Sequence, residues 1–237
     1  MRLAKELNGE IICADSRTVY KGMDIGTAKP TAAEQARVPH WGLDLVDPGE
    51  AYSAARFQKY AQEAINDIKN RGKLPILVGG TGLYIDGVLY GYGFSLEARE
   101  RDPINVRHLK KGTKATRGEL LPGALMIGLM PPDQVLKERI ASRARAIFKQ
   151  GVAKETQRLL DKYGQKAVTG TAGIAYGAVL SCIGDKISQK EAIGLIVAEE
   201  WQYARRQKTW FKRNAHIKWF ATPEEAYQAV RKQLLNT

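Results

Sequence analysis

The chain has 237 residues, with 37 Lys or Arg against 25 Asp or Glu and a formal net charge of +12. Its composition of 44% hydrophobic and 26% charged residues is typical of a folded globular protein and argues against a disordered or low-complexity chain. No stretch approaches the ~20 apolar residues of a membrane-spanning helix, and the N-terminus lacks the apolar core of a signal peptide, so we expect a cytoplasmic protein.

The first ninety residues alternate short apolar runs with amphipathic stretches. The predicted elements, in chain order, are the end of a helix at 2–7, a buried strand at 10–14, a loop at 15–30, a second apolar run at 41–46, a helix that Ser53 caps and Gly72 ends, a strand at 75–78 and a helical stretch through Val88. Strands that alternate with helices at this spacing predict a parallel, doubly wound α/β sheet.

Residues 92–119 interrupt this pattern with glycine and charge, and they hold five basic and no acidic residues between positions 105 and 118. We interpret this segment as a connection or a reduced insert that divides a core made of residues 1–91 and 120–237. Beyond it, the pattern predicts a strand at 124–129, a helix from Pro132 to near Gly151, a helix to about Tyr163, a helix from Ser188 to Arg213, a strand at 216–220 and a helix from Thr222.

The positive charge is concentrated in the second part of the chain. Residues 1–98 carry a net charge of −1, whereas residues 99–237 carry +13. Such a concentration of Lys and Arg commonly marks contact with a polyanion, because neutralised phosphates release counterions. The alternative is a solvated basic face that only aids solubility.

Two segments directly follow predicted strands, where α/β sheets bind their ligands. Asp15 and Ser16 follow the first strand, and the turn Gly79–Gly82 follows the strand at 75–78. Glycines let the backbone approach a ligand closely, but such a turn can equally serve tight strand-to-helix packing. Asp15 likewise is either a catalytic carboxylate or the cap of a turn.

The cysteines and histidines do not suggest a metal site. Cys13 and Cys182 lie in apolar contexts, so we expect buried thiols. The histidines at positions 40, 108 and 216 are far apart and have no carboxylate or cysteine at ligand spacing, so no zinc site is predicted.

The segment from Tyr203 to Arg213 combines five basic residues with three aromatic ones and no acid. On a helix, Arg206, Trp210 and Arg213 would share a face and place guanidinium groups beside an indole. This combination suits a phosphate backbone and an unstacked base, as in recognition of single-stranded or loop RNA. The alternative is that Trp210 and Phe211 are core residues and the charges are solvated.

Several blocks of the sequence carry a resemblance to a known family. The longest, at 10–30, is Glu-Ile-Ile-Cys-Ala-Asp-Ser-Arg-Thr-Val-Tyr-Lys-Gly-Met-Asp-Ile-Gly-Thr-Ala-Lys-Pro, and the next, at 72–84, is Gly-Lys-Leu-Pro-Ile-Leu-Val-Gly-Gly-Thr-Gly-Leu-Tyr. Shorter blocks lie at 47–48, 52–53, 102–107, 203–213 and 217–220. Together they span nearly the whole chain and resemble the tRNA dimethylallyltransferases, the enzymes that prenylate an adenosine next to the anticodon.

The resemblance implies a P-loop-type α/β core with a reduced helical insert. It implies transfer of a dimethylallyl group from dimethylallyl diphosphate to N6 of that adenosine, with Mg²⁺ as the usual cation. Asp15 would be the general base, and Thr81 would hold the flipped base in the same pocket. The anticodon stem-loop of tRNA would contact Asp15, Ser16, Arg17, Thr18, Asn105, Arg107, Arg206, Gln207, Thr209, Trp210 and Arg213. Arg139 and Arg143 are candidates for the diphosphate side, and we expect a monomer.

The sequence departs from the family pattern at several positions. The family opens with a strand and a phosphate loop that ends in Gly-Lys-Ser/Thr, whereas here Met1 falls inside the helix that should follow. Glu200-Trp201 stands where Thr-Arg is usual, Asp133 where Arg is usual, and Ile174-Ala-Tyr-Gly177 where Ile-Gly-Tyr and a basic residue are usual.

Two explanations of these departures remain open. In the first, the chain is a fragment of an enzyme whose phosphate loop lies upstream, since a sheet without its central strand would leave buried polar groups unpaired at a cost of ~1–3 kcal/mol each. In the second, the protein is a non-catalytic tRNA-binding relative that has lost diphosphate binding. Only this explanation accounts for the changes at several positions that the family uses to bind phosphate. A small-molecule P-loop kinase is disfavoured, because the basic aromatic helix has no use there.

Overall fold

The strand β1 (Gly9–Ala14) is buried along its whole length and is the centre of a parallel sheet in the computed structural model, which describes residues 1–94, 118–171 and 173–235. β2 (His40–Trp41) pairs with one edge of β1 and β3 (Leu74–Gly79) with the other. In this register Ile12 lies opposite both Trp41 and Leu77. A second parallel sheet pairs β4 (Met126–Leu129) with β5 (Ile217–Phe220).

Nine helices accompany these strands within the described residues. They are α1 (Arg2–Glu6), α2 (Ala32–Arg37), α3 (Ala54–Asn70), α4 (Gly82–Leu89), α5 (Asp133–Gln150), α6 (Val152–Thr171), α7 (Ile174–Ile183), α8 (Gln189–Phe211) and α9 (Pro223–Leu235). Parallel strands alternating with helices confirm the predicted α/β class.

Helices cover both faces of β1, because successive side chains of a strand point to opposite faces. Ile12 and Ala14 belong to a core cluster with Phe57 and Ile68 of α3. Ile11, on the other face, packs in a cluster with Ala4 of α1, Cys13 and Val38. The strand is therefore the middle layer of a doubly wound arrangement, as the sequence predicts.

The predicted helix caps are present at both long helices. The hydroxyl of Ser53 accepts from the backbone N–H of Arg56 at 3.2 Å and begins α3. Ser188 and Glu191 form a reciprocal capping box at the start of α8. Both caps satisfy N–H groups that a helix start would otherwise leave unpaired.

The structure corrects two local predictions and adds three helical stretches that the sequence did not predict. The apolar run at 41–46 forms only the two-residue β2, joined by an isolated bridge between Tyr20 and Val46. The helix predicted to end near Tyr163 does break at Gly164, whose backbone is not helical, and a second helical stretch of α6 that was not predicted runs on to Thr171. α2 and α7 were not predicted, because α2 buries no residue and α7 shows little amphipathic pattern. Cys13 is buried as expected, whereas Cys182 is only half-buried.

The predicted insert at 92–119 falls mostly outside the described residues, so its division from the core stays a prediction. No helix in the described part of the chain is long and apolar enough to span a membrane.

Candidate active site and nucleic-acid interface

The carboxyl ends of β1 and β3 bring the two segments singled out by the sequence side by side. Ala14 and Gly79 are register partners at these ends. The backbone N–H of Ser16 donates to Oγ1 of Thr81 at 3.0 Å, and the N–H of Thr81 donates to the carbonyl of Ala14 at 3.2 Å. Asp15 and Thr81 therefore belong to one site, as predicted from the strand-end rule.

Asp15 itself caps a turn. Its Oδ1 accepts from the backbone N–H of Arg17 at 2.7 Å, and its carbonyl accepts from the Thr18 hydroxyl at 3.4 Å. The side chain is half-buried, and Oδ2 takes no hydrogen bond from the described residues. The turn thus fixes one carboxylate oxygen and leaves the other to face a ligand, so capping and chemistry are compatible.

Tyr203 of α8 joins this site, although sequence reasoning did not single it out. Burial raises the pKa of the Tyr203 hydroxyl, and the charge of Asp15 raises it further, while hydrogen bonding with Thr81 and Gln207 lowers it. Its position in the basic aromatic segment was visible in the sequence, but its approach to Thr81 depends on how α8 packs. The phenol stays protonated and so remains a hydrogen-bond donor beside Asp15.

The glycine turn after β3 is packed against α8. The side-chain amide of Gln207 donates to the carbonyl of Gly80 at 3.0 Å, and a Cβ on Gly80 would lie 2.0 Å from the same amide nitrogen. A Cβ on Gly82 would lie 2.4 Å from the Trp210 ring. Between the two interpretations of this turn, the contacts favour close helix packing.

The basic aromatic segment lies on α8 and just beyond its end. The indole N–H of Trp210 donates to Oδ2 of Asp86 at 2.8 Å, yet the residue is 37% exposed. Arg206 lies over the Tyr203 ring at 5.6 Å and is exposed, as is Arg213. Thr209 is exposed and bonds the Arg205 carbonyl of its own helix. Trp210 is thus anchored at one edge with part of its ring accessible.

Arg17 and Thr18, the predicted tRNA contacts that follow Ser16, make hydrogen bonds within the protein. Nη1 of Arg17 donates to the carbonyl of Thr171 at 2.8 Å. Thr18 is only 6% exposed, and its carbonyl accepts from the N–H of Asp44. These contacts make Thr18 chiefly a structural residue, while half-buried Arg17 keeps part of its side chain at the surface.

The candidates for the diphosphate side lie on α5, where Arg139 is exposed. Arg143 forms an ion pair with Glu200 of α8. Burial lowers the pKa of the Arg143 guanidinium, and the charge of Asp15 opposes that shift. Arg143 is therefore within electrostatic range of Asp15, but its own carboxylate partner already offsets its charge.

The departures at Asp133 and Trp201 also make contacts between α5 and α8. Nζ of Lys208 lies 3.1 Å from Oδ1 of Asp133, and Nζ of Lys137 lies 4.8 Å from the Trp201 ring centre. Together with the ion pair of Arg143 and Glu200, these contacts add polar interactions to a pair of helices whose buried residues, Ala144, Ile147, Ala192 and Ile196, are apolar. The pair of Lys208 and Asp133 is exposed and so contributes little to stability, whereas the side chain of Glu200 is only 18% exposed.

Two predicted contacts, Asn105 and Arg107, lie outside the described residues. Among the residues that the structure describes, no group of three or more His, Cys, Asp or Glu side chains could hold a metal ion.

Comparisons with known proteins show which family the chain belongs to. Residues 18–122 and 114–214 match the family model described as IPP transferase. The chain belongs to the IPP transferase family. It is 33% identical to the tRNA dimethylallyltransferase of Bacillus subtilis over 282 residues, which covers 99% of this chain and 90% of the relative.

Solved structures agree with this membership of the IPP transferase family. A tRNA isopentenylpyrophosphate transferase of Staphylococcus epidermidis matches with a TM-score of 0.81 and 28% identity, covering 100% of this chain and 93% of the other. The full-length enzyme of Bacillus halodurans matches with a TM-score of 0.78 and 31% identity, covering 99% and 90%. The resemblance stated from the sequence is thereby confirmed for the family and its fold.

Proposed function

We propose that this IPP transferase family member transfers a dimethylallyl group from dimethylallyl diphosphate to N6 of the adenosine next to the anticodon of a tRNA. One observation carries the proposal: Asp15, Thr81 and the basic aromatic helix α8 meet at the carboxyl ends of β1 and β3. A proton acceptor, a base-binding hydroxyl and a surface suited to RNA are thus adjacent. Relatives that match almost the whole chain are named tRNA dimethylallyltransferases.

The transfer forms a bond from N6 to C1 of the dimethylallyl group and breaks the bond from C1 to the diphosphate oxygen. N6 loses one proton, and Oδ2 of Asp15 is the acceptor that the geometry offers. Oδ1 stays bonded to the Arg17 N–H, which holds the carboxylate in place. Thr81 and Tyr203 would orient the flipped base beside it, since both carry hydroxyls within this site.

The tRNA would lie over the exposed side of α8 and the loop after β1. Arg206 and Arg213 would meet phosphates, and the accessible part of Trp210 would stack on a base. Gln207 would act through the packing of the glycine turn, because its amide is already bonded to Gly80. The contacts of Ser16, Arg17, Thr209, Asn105 and Arg107 with tRNA stay predictions.

Mg²⁺ would arrive with the diphosphate. This ion commonly binds through substrate phosphates and one or two carboxylates while keeping several waters. The described residues hold no cluster of three or more potential ligands, which suits an ion carried by the substrate. When bound it would offset charge on the departing diphosphate.

Complementation tests the proposal. The gene, with its upstream sequence, should restore prenylated adenosine in the tRNA of cells that lack their own dimethylallyltransferase. Mass spectrometry of digested tRNA provides the readout, and cells carrying Asp15→Asn provide the matched control. Unmodified adenosine in the cells that carry the parent gene as well as in the control cells would refute the proposed transferase activity.

A second candidate function, a non-catalytic tRNA-binding protein, is favoured by the ion pair of Arg143 and Glu200. The carboxylate of Glu200 pairs with the guanidinium of Arg143, which the enzyme would need in order to bind a diphosphate. Such a protein would bind anticodon stem-loops with a strong salt dependence. Calorimetric detection of dimethylallyl diphosphate binding to the purified protein would refute this candidate and leave the enzyme.

The remaining expectations concern location and assembly. A tRNA-modifying enzyme of this kind would act in the cytoplasm, and we propose that it acts as a monomer. Sedimentation of the purified protein at several concentrations would test the assembly state.

A further inference from the structure

The carboxylate of Glu155 binds three consecutive backbone N–H groups of the loop between β1 and α2. Glu155 lies in the first turn of α6 and is 2% exposed. Its Oε2 accepts from the N–H groups of Asp24 and Ile25 at 3.1 and 2.8 Å, and Oε1 accepts from that of Gly26 at 3.0 Å. The hydroxyl of Tyr176 adds a fourth bond to Oε1 at 2.7 Å.

A carboxylate suits this position better than other side chains. Three adjacent N–H groups need a group that only accepts hydrogen bonds, and an ionised carboxylate has two such oxygens. Its burial is tolerated because each oxygen has two donors. Burial raises the pKa of the Tyr176 hydroxyl, and the neighbouring charge of Glu155 raises it further, so this hydroxyl remains a donor.

The loop also fits closely against the residues that hold it. A Cβ on Gly26 would lie 2.5 Å from the Tyr176 ring, so the backbone there rests directly on the ring. Lys29 holds the same loop from its other side. Its buried Nζ donates to Oδ1 of Asp24 and Oδ1 of Asp44 at 2.6 Å each, and to the carbonyl of Tyr20 at 3.0 Å.

Two parts of α6 bind this loop. Glu155, at the start of the helix, holds residues 24–26, and the carbonyl of Thr171, at its end, accepts from Arg17. The hydroxyl of Thr171 accepts from the N–H of Gly49 at 2.7 Å and ties in the next segment. The two helical parts of α6, on either side of Gly164, thus contact the loop at Arg17 and at residues 24–26.

We propose that Glu155 is a positioning residue that orders this loop, so that Asp15, Ser16 and Arg17 keep the arrangement in which they meet tRNA. The inference rests on the proposed binding of tRNA. A loop that is ordered before binding loses less conformational entropy when RNA binds. Glu155 itself would not touch the RNA, because it is buried beneath the loop.

The variant Glu155→Gln tests this role with little change in shape. Its amide group would face the N–H of Gly26 with a second donor, so at least one bond to the loop is lost. We expect the Kd for an anticodon stem-loop RNA, measured by fluorescence anisotropy, to rise by about tenfold, the effect of losing one bond to a charged acceptor. Tyr176→Phe keeps all three N–H bonds and should raise Kd by less than about threefold.

A stability control separates positioning from general damage. Ile68→Ala removes buried volume from α3 without touching the loop, and its Kd should stay within about twofold of the parent at a temperature where circular dichroism shows both folded. In Glu155→Gln the amides of residues 24–26 should also exchange hydrogen faster than in the parent, with those of β1 unchanged.

The outcomes distinguish this inference from the proposed function. If the parent protein binds no stem-loop RNA, the proposed function fails and the inference fails with it. If the parent binds RNA and Glu155→Gln binds equally well, the positioning role alone is wrong. If Ile68→Ala loses RNA binding to the same extent as Glu155→Gln, the positioning role is also wrong, because the loss would then result from lower folding stability.

Discussion

The backbone N–H of Ser16 donates to Oγ1 of Thr81 at 3.0 Å and joins two segments that lie 65 residues apart in the chain. This bond ties the end of β1 to the end of β3 at the point where Asp15 emerges. A hydroxyl that accepts from the loop and also neighbours Tyr203 helps to fix the spacing of the whole site. The bond therefore makes Thr81 a direct target for mutation.

Thr81→Val keeps the shape of the side chain and removes the acceptor for Ser16. We expect transfer to fall by about tenfold or more, since a hydrogen bond with good geometry is lost at the reacting site. Thr81→Ser retains the hydroxyl and should stay within about threefold of the parent. Single-turnover assays with tRNA provide the measurement, and equal rates for the two variants would contradict the assignment.

Asp15→Asn removes the proposed base while Oδ1 of the new amide can still accept from the Arg17 N–H. Transfer should therefore fall by about 10²-fold to 10⁴-fold, the usual contribution of a general base. Binding of stem-loop RNA should change by less than about threefold, because the turn is kept. If transfer persists near the parent rate, Asp15 is only a turn cap.

Arg206→Ala tests the RNA surface of α8. Loss of one phosphate contact should weaken tRNA binding and lower the slope of log K against log salt by about one. Lys69→Ala is the matched control, because Lys69 is an exposed cation in the last turn of α3, close in the chain to the start of β3 and not to the carboxyl ends of β1 and β3. An identical slope for Arg206→Ala and the parent would assign Arg206 a structural role.

Glu200→Gln should release Arg143 for an external anion. The guanidinium then loses its ion-pair partner, so binding of inorganic pyrophosphate should strengthen by about threefold to tenfold in calorimetry at low salt. Glu199→Gln, on the exposed neighbouring residue, changes the net charge equally and controls for long-range effects. Equal gains for the two variants would show that Glu200 does not mask Arg143.

The ion pairs of Glu10 predict that the free energy of unfolding falls in acid. Bonds from Arg71, Lys73 and Trp41 hold the pKa of this buried carboxyl at about 2, below its ordinary 4.5. Because the folded pKa is lowered, the stabilisation is full above pH 4.5 and is lost as the pH falls toward 2. It amounts to on the order of 3 kcal/mol.

Urea denaturation from pH 7 to pH 3 measures this step. The parent should lose stability over that range, and Glu10→Gln should be less stable at pH 7 with a flatter dependence on pH. Parallel curves for the two proteins would show that the ion pairs of Glu10 do not titrate with folding.

Local features of the sequence determined the secondary structure. The continuous apolar run of β1, the caps at Ser53 and Ser188 and the amphipathic pattern of α3 each depend on neighbours within a few residues. They also implied that Asp15 and Thr81 meet, because parallel strands end at the same edge of a sheet. The charge of the second part of the chain was likewise readable without a structure.

Only the tertiary structure decided which partners these residues have. Tyr203 approaches Thr81, Glu200 neutralises Arg143 and Glu155 holds the loop at 24–26. In each case the two groups come from different parts of the chain, and their contact depends on how a helix packs on a neighbouring helix or loop. Sequence periodicity predicts which face of a helix is buried, but packing decides which side chains meet across the interface.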